Sequence, residues 1–223
     1  SAASDVYKRQ DNNKGGFMKE SVQNLKELKE LLVVVDMVNG FVKKGSLADS
    51  YIEHIIPEQI RLIEEFLKAK QGVLFIKDAH TKDSKEFDSF PPHCIKGTEE
   101  AELVDELKPY EQEAMSIEKN STSAIFATGF MELIRGMENL KRVVTVGCEA
   151  DICVPNLAIP LQNYFNEVNR DTQVIVPLNA IETFDGPGHD RREYFEIGTK
   201  MMAGSGVQLV KKYTIEKESG KHE

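Results

Sequence analysis

The sequence is poor in cysteine and in basic residues, and it has no apolar run long enough to cross a membrane. Its strongest apolar run, Leu31 to Val38, is interrupted by Asp36 and falls well short of about 20 residues. The three cysteines are odd in number and have no CxxC spacing, which excludes a disulfide framework. No signal peptide is visible, and we therefore expect a soluble, cytoplasmic protein.

Basic residues are also outnumbered by acidic ones. Lys and Arg number 28 against 37 Asp and Glu, which gives a formal net charge of -9. Because binding to phosphate backbones requires a basic face, this balance argues against nucleic acid as the main partner. The 223 residues are 40% hydrophobic and 29% charged, as in an ordinary globular domain. We interpret 1–17 as a cloning scar or a disordered segment, 18–213 as one domain, and 214–223 as a polar tail.

Within that domain, apolar runs rich in β-branched residues alternate with helical patterns. The predicted strands are Leu31–Val35, Gly72–Lys77, Met115–Glu118, Arg142–Val146, Gln173–Pro177 and Val207–Val210. The predicted helices are Pro57–Lys70, Glu99–Leu107, Gly129–Asn139, Pro155–Val168 and Arg191–Ala203. This alternation predicts a single three-layer α/β/α domain around a six-stranded, mostly parallel, doubly wound sheet of order 3-2-1-4-5-6.

Reactive side chains follow four of these strands. Asp36, Lys119 and Cys153 lie at or just beyond strand ends, and so do Asp78 and His80. Ligands of open parallel sheets bind outside the carboxyl ends of the strands, so we expect these residues to share one edge.

A nucleophilic role for Cys153 requires activation of its thiol. The helix that follows and the charge of Lys119 are expected to lower its pKa, and Asp36 would then transfer the proton. The alternatives are that Cys153 is a small buried apolar residue and that Asp36 only caps a turn.

The connection from Ala79 to Thr98 has no helix or strand period, and loops of this length are usually functional. Asp78, His80, Glu86 and His93 offer carboxylate and imidazole groups of the kind that bind zinc, iron or manganese. The alternative is a solvated polar loop. Phe41 and Phe126 are expected either to line a pocket or to pack in the core. We expect two cysteines, Cys94 and Cys148, in the interior. Three histidines without partners at ligand spacing are expected at the surface: His54, His189 and His222.

Four motifs together resemble the isochorismatase-like cysteine hydrolases, and nicotinamidases most of all. They are DMVNGF at 36–41, DAH…E…FPPH at 78–93, EKNSTSAIF at 118–126 and GCEADICV at 147–154, and the resemblance extends from about Leu31 to Val210. It implies a catalytic triad of Asp36, Lys119 and Cys153, and a divalent metal, zinc before iron or manganese, held by Asp78, His80, Glu86 and His93. It also implies a cis peptide between Cys148 and Glu149, an oxyanion hole formed by the N–H groups of Glu149 and Cys153, and substrate contacts from Phe41 and Thr122.

The activity that this resemblance implies is hydrolysis of nicotinamide to nicotinate and ammonia through a cysteine thioester, as part of NAD salvage and pyridine nucleotide metabolism. The alternatives are hydrolysis of another small amide (carbamoyl, ureido or maleamate-like) and, more distantly, a catalytically silent binding protein. Thr122 replaces an aromatic residue that is common in nicotinamidases, and Glu149 replaces a small one. The identity of the substrate amide therefore stays open. The only partners expected are the small-molecule amide and further copies of the chain in a homo-oligomer.

Overall fold

The computed structural model describes residues 25–215. The segment 1–17, the first residues of the predicted domain, and residues 216–223 of the predicted tail lie outside that range.

Six strands form one sheet in which every pair of neighbours is parallel. They are β1 (Glu30–Val35), β2 (Gly72–Asp78), β3 (Met115–Lys119), β4 (Arg142–Gly147), β5 (Gln173–Pro177) and β6 (Gln208–Val210). Their order is β3-β2-β1-β4-β5-β6, which confirms the predicted topology. All six residues of β1 are buried, as expected for a central strand covered on both faces.

Five α-helices surround the sheet within residues 25–215. They are α1 (Asn39–Val42), α2 (Ile56–Lys68), α3 (Phe130–Gly136), α4 (Cys153–Glu167) and α5 (Arg191–Gly204). Alternate side chains of β1 enter two separate hydrophobic clusters, one shared with α2 and the other with α3 and α4. These two clusters are the cores of a three-layer α/β/α domain. Among the described residues, no helix is long and apolar enough to cross a membrane.

The prediction of a helix over Glu99–Leu107 is wrong. Only Glu99–Ala101 forms a single 3-10 turn, after which Leu103 pairs with Val38 in an antiparallel bridge. The backbone groups there bond across the fold: Asn39 donates to the Glu102 carbonyl at 2.9 Å, and Val104 donates to the Met37 carbonyl at 3.1 Å. The apolar spacing that suggested a helix instead marks an extended segment that packs over the turn after β1.

Candidate active site and metal centre

The three residues proposed as a catalytic triad meet at the carboxyl edge of the sheet. Asp36 follows β1 with a φ of 52°, a left-handed conformation that aspartate tolerates better than most residues. Lys119 is the last residue of β3, and Cys153 is the first residue of α4. The Lys119 Nζ lies 2.8 Å from Asp36 Oδ2 and 3.9 Å from Cys153 Sγ. All three are buried, with Cys153 6% exposed at the boundary of a cavity.

Asp78 joins this triad to the residues proposed to bind a metal. Its Oδ1 accepts a charge-assisted hydrogen bond from Lys119, and its backbone N–H donates to Asp36 Oδ1 at 3.0 Å. Its Oδ2 faces the Nε2 atoms of His80 and His93, at 3.3 and 3.6 Å. One buried carboxylate therefore contacts both halves of the site.

The electrostatics of the triad follow from burial and from one central cation. Burial raises the pKa of Asp36 to about 7, although Lys119 opposes this rise. Burial alone would lower the pKa of Lys119, but Asp36 and Asp78 reverse that effect and hold the pKa well above its usual value. Burial would raise the pKa of Asp78, yet Lys119 and the two histidines outweigh it, so that this pKa lies below its usual range. Near neutral pH, Asp36 is thus poised to accept a proton while Lys119 stays charged.

The expected lowering of the Cys153 pKa is not observed. Burial raises the pKa of this thiol well above its usual value; the charge of Lys119 opposes the rise, and the negative charges of Asp36 and Asp78 add to it. In the free protein Cys153 is therefore a thiol. Its activation requires an adjacent base, and Asp36 is placed to act as one.

The turn from Gly147 to Cys153 brings the cysteine to the cavity. Gly147 has a φ of 118°, and a Cβ there would lie 2.0 Å from the Val35 carbonyl oxygen, so only glycine fits beside β1. The peptide bond between Cys148 and Glu149 is cis, as the resemblance implied. The Glu149 carbonyl accepts the N–H groups of Ile152 and Val154, both at 3.1 Å. Because α4 begins at Cys153, its N–H is one of those without an intrahelical acceptor, which is compatible with the predicted oxyanion hole.

Asp78, His80, Glu86 and His93 lie together, and their ligand atoms are all within 4.8 Å of one another. His93 Nδ1 lies 2.8 Å from the Pro91 carbonyl, to which only a protonated nitrogen can donate, and this leaves Nε2 as the free ligand. His80 Nε2 is buried and faces Asp78 Oδ2, itself one of the four candidate ligands, at 3.3 Å. Two imidazoles with free Nε2 atoms and two carboxylates fit a divalent metal.

The segment after β3 supports this quartet, a role that sequence reasoning missed. Asn120 Oδ1 accepts the Thr81 N–H at 2.9 Å and lies 3.3 Å from His80 Nδ1, an arrangement that directs the His80 Nε2 lone pair toward the metal position. Thr122 donates its N–H and its hydroxyl to the two oxygens of Glu86, at 2.8 and 3.0 Å. Thr122 borders the cavity, as expected of a substrate contact, but its hydroxyl is used to orient Glu86.

A cavity of about 270 Å³ lies in front of Cys153 and reaches the metal-binding quartet. This volume suits a small molecule. Its apolar walls come from Phe41, Phe90 and Phe184, so Phe41 lies where a substrate contact was predicted. Phe126, the other phenylalanine considered for a pocket, is 83% exposed and does not line this cavity.

A second group of residues that the sequence did not reveal closes the far side of the cavity. His189, expected to be a surface residue without a partner, is stacked between Phe184 and Tyr194 with both ring centroids at 3.8 Å. Its Nε2 lies 2.9 Å from Asp151 Oδ2. These contacts hold the segment after β5 against the cysteine turn. Spacing gave no signal for them, because Asp151 lies 38 residues earlier and because Phe184 and Tyr194, five residues to either side of His189, match neither a strand nor a helix period.

The remaining cysteines and histidines mostly follow expectation. Cys94 and Cys148 are free and fully buried, which confirms their interior placement. His54 is at the surface, with 49% of its side chain exposed, while His222 lies outside the described residues.

Fold and site together define a three-layer α/β/α domain that holds a cysteine, an aspartate and a lysine at the carboxyl edge of its sheet, as a cysteine hydrolase does. The model of the isochorismatase domain matches residues 30–202, and the chain therefore belongs to the isochorismatase family. Nicotinamidase 1 of Arabidopsis thaliana is 31% identical over 213 residues, covering 83% of this chain and 86% of the relative.

Two solved structures extend the comparison. The crystal structure of nicotinamidase from Bacillus subtilis has a TM-score of 0.70 at 26% identity, and covers 82% of this chain and 99% of that one. The N-carbamoylsarcosine amidase of Thermoplasma acidophilum has a TM-score of 0.67 at 27% identity, and covers 85% and 100% of the two chains. The chain is thus an isochorismatase-family hydrolase that is similar to nicotinamidases.

Proposed function

We propose that this protein hydrolyses nicotinamide to nicotinate and ammonia through a thioester on Cys153. The observation that carries the proposal is that one small cavity joins the Cys153 thiol, backed by Asp36 and Lys119, to a four-residue metal-binding set. The resemblance of the whole domain to Nicotinamidase 1 supports the same substrate.

In this mechanism Asp36 takes the proton of the Cys153 thiol as the sulfur attacks the carboxamide carbon. The backbone N–H groups of Glu149 and Cys153 stabilise the resulting oxyanion. Asp36 then returns the proton to the departing nitrogen, so that ammonia leaves and the thioester remains. Water attacks the thioester with Asp36 again as the base; the bond from carbon to the Cys153 sulfur breaks, Asp36 returns the proton to that sulfur, and the acid product leaves as nicotinate after losing its proton to solvent. Lys119 stays charged throughout and keeps Asp36 oriented toward the sulfur.

Asp78, His80, Glu86 and His93 would hold a divalent metal, which we propose is zinc, with iron or manganese accepted by the same donors. When bound, the metal supplies an open Lewis-acidic position that a ring nitrogen of the substrate can occupy. Asn120 and Thr122 keep His80 and Glu86 oriented toward that position.

Another small amide is the second candidate, because N-carbamoylsarcosine amidase is nearly as similar in structure. Neither lysine nor arginine lines the cavity, as far as residues 25–215 define its walls. A carboxylate-bearing substrate, such as a ureido acid or maleamate, would therefore find no side-chain cation there, whereas a neutral ring amide needs none. A catalytically silent role stays the most distant alternative, since Asp36, Lys119 and Cys153 are all present and in contact.

Ammonia release from a panel of amides tests the proposal. We expect turnover of nicotinamide and pyrazinamide, much weaker turnover of benzamide, which lacks the ring nitrogen, and none of maleamate or N-carbamoylsarcosine. A chelator is expected to raise KM for nicotinamide much more than KM for benzamide. Inert nicotinamide beside another active amide would displace the proposal.

Three further properties belong to the same proposal: a place in NAD salvage, a cytoplasmic location and assembly into a homo-oligomer. Light scattering of the purified chain tests the last of these directly.

A further inference from the structure

Asp151 is a buried carboxylate of the cysteine turn that the proposed mechanism does not use. It lies between Glu149 and Cys153, the two residues whose backbone N–H groups form the predicted oxyanion hole. Its side chain is 5% exposed, and both of its oxygens have partners in the segment after β5. Oδ1 accepts the Thr183 hydroxyl, and Oδ2 lies 2.9 Å from His189 Nε2. One side chain therefore ties the cysteine turn to that segment.

His189 uses both of its ring nitrogens in this arrangement. Nδ1 lies 3.2 Å from the Phe184 carbonyl, which can only accept a hydrogen bond, and Nε2 faces the Asp151 carboxylate. Only the doubly protonated ring donates to both acceptors at once, and its contact with Asp151 is then an ion pair. The ring is fixed further by stacking between Phe184 and Tyr194. Because neither nitrogen keeps a free lone pair, this histidine is placed to hold the turn and not to act as a base.

The backbone of the cysteine turn is held by adjoining contacts. Ala150 donates its N–H to the Glu182 carbonyl at 3.0 Å. On α5, a Cβ at Gly198 would lie 2.3 Å from the Ala150 carbonyl oxygen, so the helix packs directly on the turn. Asp151 adds a side-chain anchor to these backbone contacts. The turn is thus held from the segment after β5 and from α5, as a pair of fixed N–H donors requires.

We propose that Asp151 and His189 are positioning residues that hold the N–H groups of Glu149 and Cys153 in place for the oxyanion of the tetrahedral intermediate. This inference rests on the proposed function for the attack of the thiol on an amide. Neither residue is among the described residues that line the cavity, so both act through the turn. Because negative charge develops on the substrate oxygen only after attack, loss of the ion pair is expected to lower kcat and to leave KM nearly unchanged.

Three variants and their combination test the ion pair. Asp151→Ala removes both side-chain bonds, and kcat is expected to fall by about 10² while KM changes by less than about threefold. His189→Phe keeps a ring in the stack but has no N–H, and a similar loss is expected. The double variant should lose little more than either single variant, because both remove one interaction. Asp151→Asn still accepts the Thr183 hydroxyl and can donate to a neutral His189, so it should recover most of kcat.

Asp190→Ala is the matched control. Asp190 is adjacent to His189 in sequence, but it caps α5 by accepting the Glu193 N–H at 2.9 Å. Its removal is expected to lower the free energy of unfolding, measured with urea, and to leave kcat unchanged. A loss of kcat as large as that of Asp151→Ala would assign the effect to the stability of α5 and overturn the inference.

Pyridine-3-carbaldehyde provides a measurement that needs no turnover. The Cys153 sulfur adds to the aldehyde carbon, the π electrons of the carbonyl move to its oxygen, and Asp36 takes the thiol proton, which places an oxyanion in the predicted hole. Calorimetry is expected to show that Asp151→Ala binds the aldehyde about 10²-fold more weakly than the wild type. In the Cys153→Ala background, where no bond to sulfur forms, Asp151→Ala is expected to change the Kd of nicotinamide by less than about threefold.

Three results would overturn the inference: an unchanged kcat in Asp151→Ala, a change in KM in place of kcat, or equal affinity of the wild type and Asp151→Ala for the aldehyde. A change in KM alone would mean that the ion pair only supports the cavity wall at Phe184. Failure of the proposed function looks different, because the wild type would then hydrolyse another amide of the panel and not nicotinamide. The comparison of kcat and KM is then made with that amide.

Discussion

The sheet carries a buried polar cluster at each edge, and the two clusters differ in how completely they are satisfied. At the amino edge, Glu30 in β1 receives the Tyr213 hydroxyl at 2.6 Å on one oxygen and Arg142 at 2.5 Å on the other. At the carboxyl edge, the ligand atoms of Asp78, His80, Glu86 and His93 face one another within 4.8 Å, an arrangement that a bound cation would complete.

This difference distinguishes the cluster at the amino edge, which stabilises the fold, from the cluster at the carboxyl edge, which is arranged to bind a ligand. A buried charged group whose hydrogen bonds are complete stabilises the folded state, whereas open bonding positions cost stability and are kept where a ligand supplies the partner. A concavity of about 450 Å³ also lies at the amino edge, bordered by Arg142 and Tyr213, and no cysteine or histidine is among its described lining residues. We therefore expect substitutions at the carboxyl edge to change activity, and those at the amino edge to change stability.

The largest effect is expected for Asp36→Asn at the carboxyl edge. The amide keeps the shape of the side chain but cannot take the thiol proton, so kcat for amide hydrolysis is expected to fall by about 10² to 10⁴. Ammonia release measures the loss, and circular dichroism checks that the fold is retained. Asp171→Asn at the amino edge, where the aspartate is 99% exposed, is the matched control and is expected to leave kcat unchanged. Equal losses in both variants would remove the distinction between the edges.

The pH dependence of the wild-type protein is the second test. Burial raises the pKa of Asp36 to about 7, and the base must be a carboxylate to accept a proton. Below about pH 7, kcat/KM is therefore expected to fall about tenfold per pH unit, and to level off above it. Because the pKa of Lys119 lies well above its usual value, this residue is not expected to lower activity up to pH 9. A flat profile between pH 5.5 and 8 would contradict the role of Asp36.

A substitution at the amino edge is expected to lower stability and to leave activity unchanged. Tyr213→Phe removes the hydroxyl that donates to Glu30, and the loss of a hydrogen bond to a charged, buried group is expected to lower the free energy of unfolding by about 1.5 to 3 kcal/mol. Urea denaturation measures this loss. Under conditions where the variant stays folded, kcat and KM should match the wild type, and a large change in either would show that the two edges are coupled.

The smallest effect is expected for Thr122→Val. This change removes the hydroxyl bond to Glu86 but keeps the backbone N–H bond, so metal affinity is expected to fall by about tenfold. Calorimetric titration of the apoprotein with Zn²⁺ measures it. Thr98→Val, which removes a hydroxyl that donates to the Ile95 carbonyl at the surface, serves as the control. An unchanged affinity would mean that the backbone bond alone orients Glu86.

How far the sequence predicts this molecule depends on whether a feature is local. The runs of Leu and Val in β1 and of Val in β4 indicated a parallel sheet, and the position of Asp36, Lys119 and Cys153 at or just beyond strand ends placed them at one edge. The helix over 99–107 was wrong because its backbone partners, Met37 and Asn39, lie about sixty residues away in sequence. Its apolar spacing carries no information about them.

Contacts between residues that are distant in sequence also explain which features of the site were not predicted. The expected lowering of the Cys153 pKa took account of Lys119 and of the helix, but not of the burial of the thiol or of two nearby carboxylates. The bond from the Thr122 hydroxyl to Glu86 was missed because Glu86 lies 36 residues earlier, while the substrate contact of Thr122 stays a prediction. The stacking of His189 between two rings likewise depends on how the segment after β5 folds over the cysteine turn.

The central claim is that Cys153 forms a covalent intermediate with an amide at the carboxyl edge, and the Cys153→Ala variant tests it most directly. Ammonia release from nicotinamide should fall to background in this variant, while Zn²⁺ affinity and the free energy of unfolding stay close to wild type. In the wild type quenched with acid during turnover, mass spectrometry should place a nicotinoyl group on Cys153 and not on the fully buried Cys94 or Cys148. Ammonia release at the wild-type rate by Cys153→Ala would contradict the account.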